Sequence, residues 1–405
     1  MSHPSDYDVI IAGGGPAGSS AAIHLASSAR VLLVEQKRFP RPKLCGEFIS
    51  PECAAHFERL GVAEQMLATG PSNLIETVFY SQTGARVSVP SDWFASGGAA
   101  LGLSRAEMDE RLLRRAAQVG VEVVEDASVV NVAATETRDV SGVIIRRNGK
   151  EESVRAPLTI DATGRARALA RFVERDKGTR RASQRRPMVA FKAHFTNTRV
   201  APGACEIYFY RGGYGGLSSI ENGLSNLCFI VNSRDARMLQ SDPDRLVREI
   251  VRANCRAEHT LGSAQVKTEW LAVSLEGFGR HSPTPANGLL AIGDAASFID
   301  PFTGSGMLMA LESGELAANS IARHLDTLDH THTLHRIADS YRAAYERRFN
   351  SRLRLCSLIR RAAFLPGLAE VAIRAFSFSD TFRRRFARAT RRNSSAVATE
   401  KSLTR

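Results

Sequence analysis

Three glycines at fixed spacing are the first residues whose types suggest chemistry. Gly13, Gly15 and Gly18 fill a Gly-x-Gly-x-x-Gly pattern, with Pro16 and Ala17 between the last two. An apolar run, Tyr7 to Ala12, leads into them, and a helix-forming segment from Pro16 to about Ser27 leads out. In that context Gly13 permits a tight turn, Gly15 lets backbone approach a pyrophosphate, and Gly18 lets helix and strand pack closely. The free N–H groups at the helix start then face the phosphates. A second apolar run, Val31 to Val34, ends at Glu35-Gln36. An acid at that position suits a ribose hydroxyl. These residues point to a dinucleotide, without choosing which.

Three further segments choose. Gly293-Asp294 follows the apolar run Leu289 to Ile292, and Asp300 to Gly306 closes with Gly304-Ser305-Gly306 before a long helical pattern. Ser104-Arg105 opens a charged helix carrying Asp109 and Leu112, and Leu158 to Gly164 reads Leu-Thr-Ile-Asp-Ala-Thr-Gly. Together with the glycine turn, these resemble FAD-dependent oxidoreductases of the geranylgeranyl reductase and aromatic hydroxylase (group A flavin monooxygenase) superfamily. The resemblance implies FAD. It assigns Asp294 to a ribityl or ribose hydroxyl, Arg105 to a cofactor contact, and Gly304, Ser305 and Gly306 to the flavin pyrimidine edge. A helix N-terminus there would favour the negative charge of reduced flavin. The Asp-Gly element of the classical hydroxylases is replaced by Asp161-Ala162. NAD(P)H is therefore left open as the electron donor.

The reaction itself is less constrained. Arg41 to Phe48 contains Cys45-Gly46-Glu47 and is similar to the Cys-Gly loop of the reductases. That likeness makes Cys45 and Gly46 cofactor neighbours and Cys45 a proton donor to carbon. Glu47 could act as acid or base if burial raises its pKa. The reductases' Tyr-x-Trp-x-Phe-Pro strand is reduced here to Tyr214 without the tryptophan, and neither Trp93 nor Trp270 has the context that the halogenases need. Hydroxylation requires only a dry pocket over the flavin. Tyr208, Tyr210 and Tyr214 are its expected aromatic wall. His194 shares a strand face with Lys192 and reads as structural. The leading expectation is a monooxygenase acting on a small hydrophobic or aromatic secondary metabolite. An ene-reductase of isoprenoid or lipid double bonds is the alternative. A third is a flavoprotein docking on a carrier or precursor protein through its tail.

The elements needed to position these residues define an α/β chain, α+β overall. A Rossmann-type FAD-binding domain is expected over 1–70, 101–186 and 275–340. A sheet-based substrate domain is expected over 71–100 and 187–274, and a basic helical segment over 341–405, broken at Pro366-Gly367 and disordered from Thr390.

Charge is segregated along the chain. Residues 341–405 hold sixteen Lys and Arg against four acids, the whole of the net charge of +12, so the body is neutral. From Leu353 to Arg392 apolar and basic residues interleave, including Phe364, Leu365, Phe376, Phe378, Phe382 and Phe386. Such a segment suits an anionic membrane surface, an acidic carrier protein or the enzyme body itself. No nucleic-acid motif accompanies the charge. The six cysteines form no metal-type pair and fit a reducing compartment, so no metal is expected. With no leader and no spanning run, the expected location is cytoplasmic, with peripheral membrane contact through the tail.

Overall fold

The computed structural model describes the chain apart from residues 1–4, 95–97, 136–138, 177–187, 276–277, 301, 303, 329–330, 364–369, 371–372, 375–379 and 390–405. The expected break at Pro366-Gly367, the side chains of Phe364, Leu365, Phe376, Phe378, Phe382 and Phe386, and the segment from Thr390 lie outside the described part.

In chain order, β1 (Val9–Ala12), α1 (Pro16–Leu25) and β2 (Val31–Val34) open the fold. A hairpin of β3 (Glu76–Tyr80) and β4 (Arg86–Pro90) follows, then α2 (Arg105–Gln118), β5 (Glu122–Val124) and β6 (Leu158–Asp161). Next come β7 (Met188–Thr196), β8 (Ala204–Tyr210), β9 (Gly213–Ser219), β10 (Ser225–Asn232), β11 (Gln265–Val266) and β12 (Leu271–Leu275). The remainder holds β13 (Leu289–Ala291), α3 (Gly306–Ala322), α4 (Thr331–Ala363) and α5 (Asp380–Ala389).

Strands β13-β6-β1-β2-β5 form a parallel sheet in that order. β1 and β2 are buried at every position, as expected of β-branched strands covered on both faces. Pro16 stands at the start of α1, where its missing N–H costs nothing. Ser104 caps α2 by accepting from the Glu107 N–H. α1 and α3 pack together above this sheet, and the Ser20 hydroxyl donates to the Leu311 carbonyl at 2.9 Å.

A second, larger sheet runs β11-β7-β10-β9-β8-β3-β4, with β12 also paired to β7. Its side chains alternate between two faces. One face holds Phe191, Phe195, Tyr208, Tyr210 and Phe229 and is backed by Leu246, Val251 and Leu261. The other holds Ala190, Phe209, Tyr214, Ile230 and Leu275 and turns toward the glycine-rich turns. No described helix is long and apolar enough to cross a membrane.

Candidate active site

A cavity of about 520 Å³ lies where the parallel sheet meets the larger one. Its polar end is built at the carboxyl ends of β1, β2 and β6, where ligands collect in open α/β sheets. Gly13, Gly15, Pro16, Ala17, Glu35, Gln36, Arg41, Lys43, Arg105, Thr163, Arg165, Gly293 and Asp294 line it. Gly13 has φ +109°, and a Cβ there would sit 2.4 Å from the Ala162 carbonyl, so the turn admits only glycine. Gly18 packs against Gly13 and does not line the cavity. Gly15 differs. A Cβ on it would meet only the Arg41 and Arg105 guanidinium nitrogens, at 3.9 and 4.0 Å. At Gly46, also a lining residue, a Cβ would meet nothing within 4 Å. Protein packing demands neither glycine; a ligand lying against the backbone would.

The charges fit a pyrophosphate. Arg41, Lys43, Arg105 and Arg165 converge there. Burial and the guanidinium groups of Arg105, Arg41 and Arg165 push the Lys43 amine below its ordinary value. Burial raises the Asp294 carboxyl against the pull of Arg165, Arg105 and Lys43. Glu35 accepts from the Gly14 N–H at 2.7 Å and the Lys37 N–H at 3.0 Å, which fixes the turn. The second flavin loop approaches through Gly304 and Gly306 at the start of α3. Ser305, expected beside the cofactor, is the buried N-cap of α3 and is not among the lining residues. These residues suit FAD: the glycines and cations for its phosphates, Glu35 and Asp294 for its hydroxyls. Gly15→Val is expected to give a folded, colourless protein, checked by visible absorbance beside far-ultraviolet circular dichroism.

Where the polar end meets the apolar one, the Cys45 loop crosses the cavity. Cys45 accepts from the Glu47 N–H at 3.4 Å and from the Arg105 side chain, which also grips Asp109 through two bonds of 2.7 Å. The Asn226 amide holds the Cys45 carbonyl at 3.1 Å. Beyond lie Leu44, Ala190, Cys228, Ile230, Leu275 and Phe298. Burial, with Cys45 nearby, pushes the Cys228 thiol up to about 12.

Glu47 lies at the cavity wall, fully buried and with φ +52°, but its carboxylate is not free. Its carboxylate is bound by the Lys192 ammonium, by His194 Nε2 at 2.7 Å and by the Arg105 N–H at 2.8 Å. Burial alone would raise its pKa. The hydrogen bond from His194 and the charge of Lys192 outweigh that and hold it below its ordinary value. The raised pKa that an acid–base role required is therefore absent. Glu47 is a charged node tying the Cys45 loop, α2 and β7 together. Because its folded pKa is depressed, its stabilisation is complete above the ordinary 4.5 and fades as pH falls through the lowered value. Unfolding free energy should fall through this acid range, and Glu47→Gln should flatten that fall.

The tyrosines are redistributed. Tyr208 and Tyr210 lie on the sheet face turned away from the cavity, where their hydroxyls donate to Glu206 and to the Ile230 carbonyl. Strand alternation sends residues two apart to the same face, so both miss the pocket together. Tyr214 is on the near face but donates to Asp300 and packs against Phe302, behind the lining. Asp161 is occupied by the Thr163 N–H and hydroxyl and the Ala170 N–H. Among the described residues, no group of three His, Cys, Asp or Glu could hold a metal. Sequence reasoning missed Arg41, Lys43 and Arg165 on the phosphate side, Cys228 opposite Cys45, and the partnership of Lys192 and His194 with Glu47. Two polar residues alternating with Phe191 and Phe195 on one strand were the available signal.

A family model described as "FAD binding domain" matches residues 6–344. The menaquinone reductase of Mycobacterium tuberculosis is 27% identical over 93% of this chain and 89% of that protein. The flavin-dependent halogenase armH3 of Armillaria mellea is 27% identical over 79% of this chain and 68% of its own length. Among solved structures, a geranylgeranyl bacteriochlorophyll reductase-like protein from Thermoplasma acidophilum superposes with a TM-score of 0.76 at 20% identity, covering 95% of this chain and 96% of that one.

Proposed function

Because the chain belongs to the FAD-binding-domain family and is an FAD-dependent oxidoreductase, we propose that it reduces a carbon–carbon double bond of an apolar, isoprenoid-type substrate. The observation that carries this reading is the Cys45 thiol. It lines the cavity between the cationic, phosphate-binding end and the apolar wall of Leu44, Ile230, Leu275 and Phe298. When bound, reduced FAD would supply the redox chemistry, a hydride that carries two electrons and one hydrogen to one carbon of the double bond. The chain supplies the proton. Cys45 Sγ–H protonates the other carbon, which becomes electron-rich as the hydride adds; two C–H bonds replace the π bond, the S–H bond breaks, and a thiolate is left behind. That thiolate lies beside the Arg105 guanidinium and the Glu47 N–H, both of which stabilise an anion. Water then restores the thiol.

The match to a menaquinone reductase over most of both chains supports the same class of substrate. Hydroxylation, the leading expectation from sequence, loses its aromatic wall once Tyr208 and Tyr210 turn away. It keeps the dry surface around Phe298 and Ile230 and stands as the second reading. Halogenation has less support: neither Trp93 nor Trp270 has the sequence context that the halogenases need. A panel of polyprenyl lipids and prenylated quinones, incubated with the reduced holoenzyme without oxygen and with any quinol returned to quinone after the protein is removed, should yield a product heavier by two hydrogens. A product that forms only with oxygen, and gains an oxygen atom, would favour hydroxylation instead.

A further inference from the structure

We propose that the C-terminal segment docks this enzyme on an anionic lipid surface, with the apolar end of the cavity turned toward the bilayer. The first observation is where the segment lies. Ile373, only 4% exposed, is inserted into the cluster of Val87, Phe209, Tyr214, Ile230, Leu275 and Phe278. Ile230 and Leu275 also line the cavity, as do Leu44 and Phe298 packed against the same cluster. The segment thus covers the apolar end of the site, not the phosphate end. Two polar contacts fasten it to the β3–β4 hairpin: Thr83 donates to Glu370 at 2.8 Å, and Arg383 donates to the Ser88 carbonyl at 3.1 Å.

The second observation is charge. All of the net charge of +12 falls in residues 341–405. On the described surface Arg354, Arg374, Arg384 and Arg385 are exposed, and Arg86 adds another exposed cation from the hairpin. Glu370 pairs with Arg374 and Asp380 with Arg383, so Arg384 and Arg385 remain in excess on α5. Leu358 is 62% exposed on the same tail, near the end of α4. Basic side chains mixed with apolar ones suit the headgroup region of an anionic leaflet, where each Arg strengthens binding about fivefold. An aqueous acidic protein would match the charge but not the apolar end of the cavity lying beneath the segment. That the substrate enters from the lipid rests on the reductase reading. Docking itself does not, and it is measured without substrate.

The test is sedimentation of the full-length holoenzyme with phosphatidylglycerol-rich vesicles and with pure phosphatidylcholine vesicles. Binding to the first alone, weakened by salt, is expected. The double variant Arg384→Glu/Arg385→Glu, still yellow and hence folded, should bind at least about 25-fold more weakly. Equal binding to both vesicle types, binding to neither, or full retention by the yellow double variant would overturn the proposal. So would binding to an acidic carrier protein with none to vesicles. An enzyme inactive on every prenyl substrate that still binds phosphatidylglycerol would sink the reductase reading and leave docking intact.

Discussion

Cys45→Ala is expected to slow reduction by about 10²- to 10⁴-fold, the usual contribution of a positioned general acid. FAD should remain bound, since the turn at Gly13–Gly15 and the cations Arg41, Lys43 and Arg105 do not depend on the thiol. The loss should therefore appear in the rate of flavin reoxidation by substrate, with the visible spectrum of the resting enzyme unchanged. Cys45→Ser separates two roles. Serine keeps the size and a hydrogen bond but is a far weaker acid. If the thiol only shaped the loop, serine would restore the rate; if it gives the proton, serine will be nearly as slow as alanine. Cys228→Ala is the control, because that thiol lines the same cavity with its pKa pushed up to about 12 and is not assigned a proton transfer.

Glu47→Gln should be the most destabilising single change near the site. Removing one partner of a buried ion pair typically costs about 3–5 kcal/mol, because the other charge stays buried without compensation. Here the stranded group is the Lys192 ammonium, 3% exposed, whose other contact is the Lys43 carbonyl at 3.3 Å. The damage should reach the cofactor too, since the same carboxylate holds the first N–H of α2, the helix that carries Arg105. Denaturant unfolding and FAD retention would report the two effects. Adding Lys192→Met to Glu47→Gln should recover part of the loss, because neutral neighbours no longer strand a charge. Additive losses would show that the pair is not coupled as described.

The cofactor end was legible in sequence because its parts are local. Gly13 to Gly18 span the turn after one strand and the first residues of the helix that follows, and Glu35 directly follows the next strand, so spacing alone encodes their meeting. The second loop, through Gly293, Asp294, Gly304 and Gly306, was legible by resemblance and lines the same cavity. Ser305 shows the limit of that method: a motif says which residues travel together, not which of them faces the ligand. The reacting end was less legible because it is assembled across long separations. Glu47 meets Lys192 and His194 only after β7 has joined the larger sheet and the Cys45 loop has crossed it. Nothing near Glu47 in sequence reveals that its burial is compensated, so the direction of its pKa could not be inferred. The tyrosines could have been sorted from sequence. Tyr208 and Tyr210 flank Phe209 on β8, and alternation forbids all three from facing one pocket.

The proposed reaction passes electrons from FAD to a carbon–carbon double bond. The most direct measurement is an anaerobic single turnover. Photoreduced holoenzyme would be mixed, without oxygen, with a polyprenyl lipid that carries no quinone ring, dispersed in detergent, and the oxidised-flavin absorbance followed in a stopped-flow spectrometer. Reoxidation that depends on substrate concentration and is slowed in Cys45→Ala is the predicted result. A flavin that stays reduced with every prenyl substrate until oxygen is admitted, and then forms an oxygenated product, would contradict it.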